Sequence, residues 1–317
     1  MAALGLAALT AACGGAPTAP TPPASLPLTL ACPAPVSVFS ASTLGTAVTY
    51  TPPVATGGRL PVAVSCTPIS GQLFVPGTTT VTCTATDAVS VTSQCAFPVT
   101  VTVPPRLSRT RFLAFGDSIT AGEVTAPVFG VLTMDPRQYR QIVVPAVSYP
   151  AVLDRLLDAR YLAQSPSVVN AGVPGEWAAD APPRLRSAIT ANQPEVIFLL
   201  SGHNDLGSTS QALGGYDGLV QMVREAKTSG ARIYLATLLP SIPGRLRSQP
   251  MPLLLQFNDA IRALALSENI GLVDLYTLML PDVNTLIGVD GLHPNEAGYT
   301  RIANLFFAVV RSDLELP

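Results

Sequence analysis

Ser118 stands in Gly116-Asp-Ser-Ile-Thr120, directly after the apolar run Phe112 to Phe115. A serine hydroxyl is a weak nucleophile until a neighbouring base removes its proton. The chain has only two histidines, His203 and His293, so the choice of base is narrow. His293 lies in Asp290-Gly-Leu-His-Pro294, three residues after a carboxylate. On one turn, that spacing lets Asp290 reach the imidazole nitrogen facing away from the serine and set its tautomer. Ser118, His293 and Asp290 are therefore the expected nucleophile, base and orienting acid of a hydrolytic triad. His203 is read as a packing residue or a wall of the site. Asn204 lies in Ser201-Gly-His-Asn-Asp205, and Gly175 closes Asn170-Ala-Gly-Val-Pro-Gly175. The Asn204 amide and the backbone N–H groups of Gly175 and Ser118 are expected to hold the negative oxygen that forms when serine attacks an ester carbonyl.

These residues need a scaffold that brings them to one edge. Beyond residue 110, apolar runs alternate with helix-period segments: Phe112–Phe115, Val168–Val173, Val196–Leu200, Ile233–Leu239 and Leu272–Leu275 read as strands. Val152, Leu153, Leu156 and Leu157 form one helical stripe, opened by Ser148 and by Pro150 in its first turn. Leu219, Met222 and Val223 form a second. Ile302, Leu305, Phe306 and Val309 form the inward face of a last helix that Pro294 would start. Almost wholly apolar strands alternating with helices indicate a parallel sheet covered on both faces. The fold class is α/β: a three-layer α/β/α sandwich with five parallel strands. Open sheets of this kind bind ligands at the carboxyl ends of their strands. Asp117 and Asp205 are expected to brace loops and cap helices there. Trp177, after the oxyanion glycine, is read as core packing or, as the alternative, as lining the substrate cleft, and Glu123 to Ala146, with Phe129, Met134 and Tyr139, as a loop forming a lid or pocket wall.

The blocks Gly116-Asp-Ser-Ile-Thr120, Asn170 to Gly175, Gly202-His-Asn-Asp205 and Asp290-Gly-Leu-His-Pro294 occur in the order seen in the SGNH/GDSL esterases and lipases. The region from about 111 to 317 resembles that family. The resemblance implies a flavodoxin-like hydrolase domain with Ser118 as nucleophile, His293 as base and later acid, and Asp290 orienting it. It implies an oxyanion hole of Ser118 N–H, Gly175 N–H and Asn204. Gly175 is preferred over Gly172 because the family's donor is the glycine five places beyond the asparagine. An α/β-hydrolase also orders its triad Ser, Asp, His, but it needs G-x-S-x-G at the nucleophile, and here the last place is Thr120.

The first third of the chain has a different composition. All five cysteines, Cys13, Cys32, Cys66, Cys83 and Cys95, fall within it, and many of the 31 prolines do as well. Residues 1–12 form an apolar run that as a helix would reach only about 18 Å, short of a membrane span. They resemble the end of a bacterial lipoprotein signal peptide, which implies lipid attachment at Cys13 and a membrane anchor. Residues 13–27 read as a Gly/Pro/Thr/Ala-rich disordered tether. From 28 to 103, short Val/Thr-alternating runs broken by turns indicate an antiparallel all-β sandwich. Its four cysteines allow three pairings, of which Cys66–Cys83 with Cys32–Cys95 is favoured. Leu73 to Asp87 followed by Cys95 to Val101 resembles the hyalin-repeat (HYR) module, an immunoglobulin-like sandwich of extracellular proteins. It departs at Ala88-Val-Ser90, where such modules usually carry a glycine turn. That resemblance implies adhesion or spacing. Residues 104–110 read as the linker.

A net charge of −2 and the absence of a Lys/Arg-rich run argue against a nucleic-acid partner. Two separated histidines and no cysteine beyond residue 95 cannot assemble a typical metal site, and no cofactor is expected. The expected protein is an extracytoplasmic serine esterase acting on a small-molecule, glycan or lipid ester. The alternative is a surface adhesion or glycan-binding protein that uses the same fold without turnover.

Overall fold

The computed structural model describes residues 26–127 and 139–316 and divides into two compact units, one ending at Val103 and one starting at Pro104. The signal, tether and lipid-site readings for residues 1–25, and Phe129 and Met134 of the expected lid, lie outside the described residues.

The first unit is all-β. Its strands are β1 (Thr29–Ala31), β2 (Val36–Phe39), β3 (Thr46–Ala47), β4 (Val54–Thr56), β5 (Ala63–Thr67), β6 (Leu73–Phe74), β7 (Gly77–Thr86) and β8 (Thr92–Thr102). The four-stranded sheet has the order β2-β8-β7-β5, and the pairs β1-β4 and β3-β6 stand apart from it. The sandwich is not antiparallel throughout, because β2 runs parallel to β8. Alternation along β7 and β8 places Val81, Cys83, Ala85, Phe97, Val99 and Val101 inside, with Thr on the other face. Disulfides join Cys32 to Cys95 and Cys66 to Cys83. The first closes a loop spanning 63 residues, which removes much of the unfolded chain's freedom from a domain with a thin core. The turn at Ala88-Val-Ser90 does without glycine. Ser90 takes a positive φ of 68°, while Asp87 Oδ1 accepts hydrogen bonds from Val89 and Val91 N–H. A short polar side chain accepting its own turn's amides substitutes for the missing glycine.

In the second unit, the parallel strands β9 (Arg111–Gly116), β12 (Ser167–Gly172), β13 (Val196–Leu200), β14 (Arg232–Ala236) and β15 (Gly271–Val273) form a sheet of order β12-β9-β13-β14-β15. All five residues of β13 are buried, as are five of the six in β9. Between β9 and β12 come the short helix α1 (Ser118–Ala121), the antiparallel hairpin β10 (Glu123–Pro127) with β11 (Tyr139–Val143), and α2 (Tyr149–Arg160). The helices α3 (Pro182–Asn192), α4 (Thr209–Thr228), α5 (Met251–Ser267), α6 (Leu275–Met279), α7 (Val283–Leu286) and α8 (Glu296–Leu314) follow.

The helices form two layers. Phe198 of β13 stacks on Phe112 of β9 and packs against Phe306 of α8, which itself packs on α2. Phe115, on the opposite pleat of β9 from Phe112, is covered by the Arg184 guanidinium of α3, and α3 leads to α4 and α5. A five-stranded parallel sheet thus lies between two helix layers.

Several boundaries differ from the sequence reading. The fourth strand ends at Ala236, and Thr237 hydrogen-bonds to Asp274, so Leu238 and Leu239 belong to the loop after it. The fifth strand ends at Val273, because Asp274 caps α6 and Leu275 is already helical. Pro294 does not start the last helix. It pairs in an isolated bridge with Ile287, and Asn295 is the N-cap, its side chain accepting from Gly298 N–H. The buried face of α8 centres on Tyr299, Ile302, Ala303, Phe306 and Val310, which leaves Leu305 and Val309 half-buried at its margins. Glu123–Pro127 and Tyr139–Val143 form a hairpin rather than an irregular loop. Residues 106–108 belong to the second unit and are tied to its C-terminal segment: Ser108 N–H donates to Leu314 O, and Leu316 N–H to Arg106 O.

At the carboxyl edge the strands approach so closely that some positions admit only glycine. A Cβ on Gly172, at the end of β12, would lie 2.1 Å from Ala121 N and 2.5 Å from Thr120 C, both main-chain atoms of α1. Gly172→Ala must therefore displace the nucleophile helix. It is expected to cost about 1–3 kcal/mol in urea unfolding, as overpacking does, and an unchanged midpoint would show that the contact yields freely.

Candidate active site

Asp117 opens α1. Its side chain accepts from Ile119 N–H at 3.0 Å, and the helix stops after one turn at Gly122, whose φ of 93° is left-handed. This short helix directly after β9 sets Ser118 at the sheet's carboxyl edge. The hydroxyl lies 2.9 Å from His293 Nε2. On the far side of the ring, Nδ1 is 2.6 Å from Asp290 Oδ2. All three residues are buried. The network assigns the tautomer: Nδ1–H donates to the carboxylate, and Nε2 is free to accept the serine proton.

The three-residue spacing of Asp290 and His293 works through a tight turn. Asp290 Oδ1 accepts from both Leu292 N–H and His293 N–H at 3.0 Å, which leaves Oδ2 for the imidazole. Gly291 between them has a φ of 87°, and a side chain there would strike Arg245. Burial pushes the Asp290 carboxyl upward. The hydrogen bond to His293 and that ring's charge, with the Leu292 amide, overcome this and hold it at about 2.

The strands flanking β9 supply the other blocks. Within the last residues of β12, Asn170 Oδ1 accepts from Gly172 N–H, and the chain then turns at Val173 to Glu176 through Gly175, whose φ is 76°. No atom lies within 4 Å of where a Gly175 side chain would begin, so that turn opens outward. After β13, Gly202 at φ 126° leads into a single 3₁₀ turn, His203–Asp205. Asn204 Nδ2 donates to Glu176 O at 2.9 Å, which ties its amide to the Gly175 turn while leaving its second N–H uncommitted to that bond. Asp205 Oδ2 and Oδ1 accept from Ala178 and Ala179 N–H, fastening the same loop. Burial raises the Asp205 carboxyl to about 6 despite those two amides.

His203 is not placed to serve Ser118. Its Nε2 accepts from Leu239 N–H at 3.0 Å, so the proton sits on Nδ1, 3.5 Å from Asp117 Oδ2. It is a buried packing residue behind the nucleophile turn. Trp177 departs from the expected core role, being 37% exposed. Among the described residues, no group of three or more His, Cys, Asp or Glu could hold a metal, and no helix is long and apolar enough to cross a membrane.

One residue at the site escaped the sequence reading. Glu123 Oε1 lies 3.5 Å from His293 Nε2, on the serine side of the ring. Its one signal in the sequence is an acidic residue immediately after the nucleophile block, and nothing local indicates that it turns inward.

The HYR domain family matches residues 25–101. Comparison with curated protein sequences gives no match. Among solved structures, the chain is similar to the lipase/acylhydrolase from Enterococcus faecalis, at 23% identity and a TM-score of 0.53, covering 65% of this chain and 97% of that one. It is also similar to LAE5, an alpha/beta hydrolase from the metagenome of Lake Arreo, at 22% identity and a TM-score of 0.50 over 63% and 94%. A point mutant of Axe2, a Geobacillus acetyl-xylooligosaccharide esterase, gives 23% identity and a TM-score of 0.50 over the same shares. At these identities the likeness establishes the fold. The GDSL-like Lipase/Acylhydrolase family matches residues 114–301, more than half of the sequence, and the chain belongs to that family.

Proposed function

We propose that the protein is a serine ester hydrolase of the cell envelope. The observation that carries this reading is the continuous hydrogen-bonded relay from Ser118 through His293 to Asp290, joining residues 175 positions apart in a buried site. His293 Nε2 takes the Ser118 proton as Oγ attacks the ester carbonyl carbon. Ser118 N–H, Gly175 N–H and the Asn204 amide stabilise the oxyanion. Collapse expels the alcohol, protonated from Nε2, and leaves an acyl group on Ser118. Water then attacks that ester, giving its proton to the same nitrogen, and the acid departs as Oγ is reprotonated. The disulfides and the HYR match support an exported protein. In this reading residues 1–12 are a signal peptide, Cys13 carries lipid, 13–27 is a tether, 28–103 is a spacer and the catalytic domain begins near 111.

Ser118→Ala should lower kcat on p-nitrophenyl acetate by at least about 10³-fold with its fold intact by circular dichroism. Retained turnover would remove Ser118 as nucleophile. Asn204→Ala should cost about 10²–10³-fold in kcat with little change in KM, because its hydrogen bond forms fully only in the transition state.

Turnover should fall on acidification, since a protonated imidazole cannot accept the serine proton. Asp290 does not set this limb. Its carboxyl is depressed to about 2 from an unfolded value of about 3.9, so the stability it lends is complete above about pH 4 and is lost only between about pH 4 and 2. Loss of kcat/KM well above pH 4 with unchanged circular dichroism checks this; a profile flat to pH 4 contradicts it.

A further inference from the structure

Glu123 directly follows Gly122, the left-handed residue that ends α1, and opens β10. Its main chain is held on two sides, by pairing with Val143 and by the Tyr299 hydroxyl, which donates to Glu123 O at 2.6 Å. The side chain is 11% exposed and places Oε1 3.5 Å from His293 Nε2. That is the nitrogen bonded by Ser118, and the one that exchanges protons with nucleophile and leaving group. Among the described residues, no Lys or Arg pairs with the Glu123 carboxylate; its titratable neighbour is the His293 imidazole. Asp290 occupies the other face of the same ring. One imidazole is thus flanked by two carboxylates, and the second of them lies beside the nitrogen that Ser118 meets.

We infer that Glu123 is a specificity-determining residue that selects esters neutral or cationic beside the scissile bond and rejects those bearing an anion there. The inference rests on the ester-hydrolase reading and adds the substrate class. A carboxylate or phosphate on the acyl chain or leaving group within a few ångströms of the carbonyl is brought up against a fixed like charge. The Glu123 side chain is largely buried, so the repulsion is screened less than at an open surface. A quaternary ammonium in the same place meets an attraction of comparable size. A neutral alcohol or sugar hydroxyl finds a hydrogen-bond acceptor. Rejection of the wrong charge gives specificity without any added contact to the right substrate.

The test compares three p-nitrophenyl esters of similar length: the butyrate (neutral), the hemisuccinate (anionic) and the 4-trimethylammoniobutyrate (cationic). kcat/KM is measured for the full chain and for Glu123→Gln, Glu123→Ala and Glu123→Asp. In both neutralised variants the anionic-to-neutral ratio is expected to rise about tenfold and the cationic-to-neutral ratio to fall about tenfold. Glu123→Asp should keep wild-type ratios. Ratios unchanged within about twofold in whichever neutralised variant folds would overturn the inference while leaving the hydrolase reading intact, as would a loss equal on all three esters. A wild-type chain inactive on every ester would overturn both.

Discussion

Main-chain pairing of β9 with β12 on one side and β13 on the other is the constraint on which the site depends. Because both neighbours run parallel to β9, their carboxyl ends emerge at the same edge. The chain leaves β9 for β12 and later returns beyond β9 to β13, so the strand order reverses at β9. A crevice opens at such a switch point. The Ser118 turn, the Gly175 turn and the Asn204 turn issue from these three strands. Gly116 and Gly172 mark how tightly the edge is drawn together, since a side chain on either would strike main-chain atoms of β13 or α1.

The edge is also a concentration of buried acid. Taken as whole residues, Asp117, Glu123, Asp205 and Asp290 are each less than a tenth exposed. Buried carboxylates are costly unless paired or hydrogen-bonded. The compensation comes mainly from main-chain amides: Asp117 Oδ1 accepts from Ile119 N–H while its Oδ2 lies 3.5 Å from His203 Nδ1 without a hydrogen bond, Asp205 accepts two loop amides, and Asp290 takes two amides and an imidazole. Each of the two histidines faces carboxylate, but their hydrogen bonds give them different tasks. Leu239 N–H occupies Nε2 of His203, while Nε2 of His293 meets the serine. Asp205, satisfied only by amides, is pushed up to about 6, whereas Asp290, facing a ring that can become cationic, is held at about 2. Opposite directions from similar burial show that the partner decides the charge state.

Much of this was legible from the chain alone, for reasons of short range. Val196 to Leu200 is apolar throughout because both faces of that strand are covered, and its boundaries agree with the sequence reading. Ser148 caps α2 and Pro150 occupies its first turn, as the local residue types imply. The less legible features are those in which two local rules compete. Leu275 is apolar enough to extend a strand, but Asp274 caps a helix there. Pro294 suits a helix start, yet bridging to Ile287 takes it first and Asn295 makes the better cap. Trp177 has the composition of a core residue and lies half-exposed.

By itself the sequence determined the strand and helix periodicity, the split between a cysteine-bearing first third and a cysteine-free remainder, and the kinds of residue available at each strand end. These follow from local propensity, burial pattern and turn chemistry. Only the tertiary structure decided that β2 runs parallel to β8, that His203 turns to Leu239 rather than to Ser118, and that Glu123 swings back against His293. Each of those depends on what another part of the chain presents at that point in space, and no window of neighbouring residues contains that information.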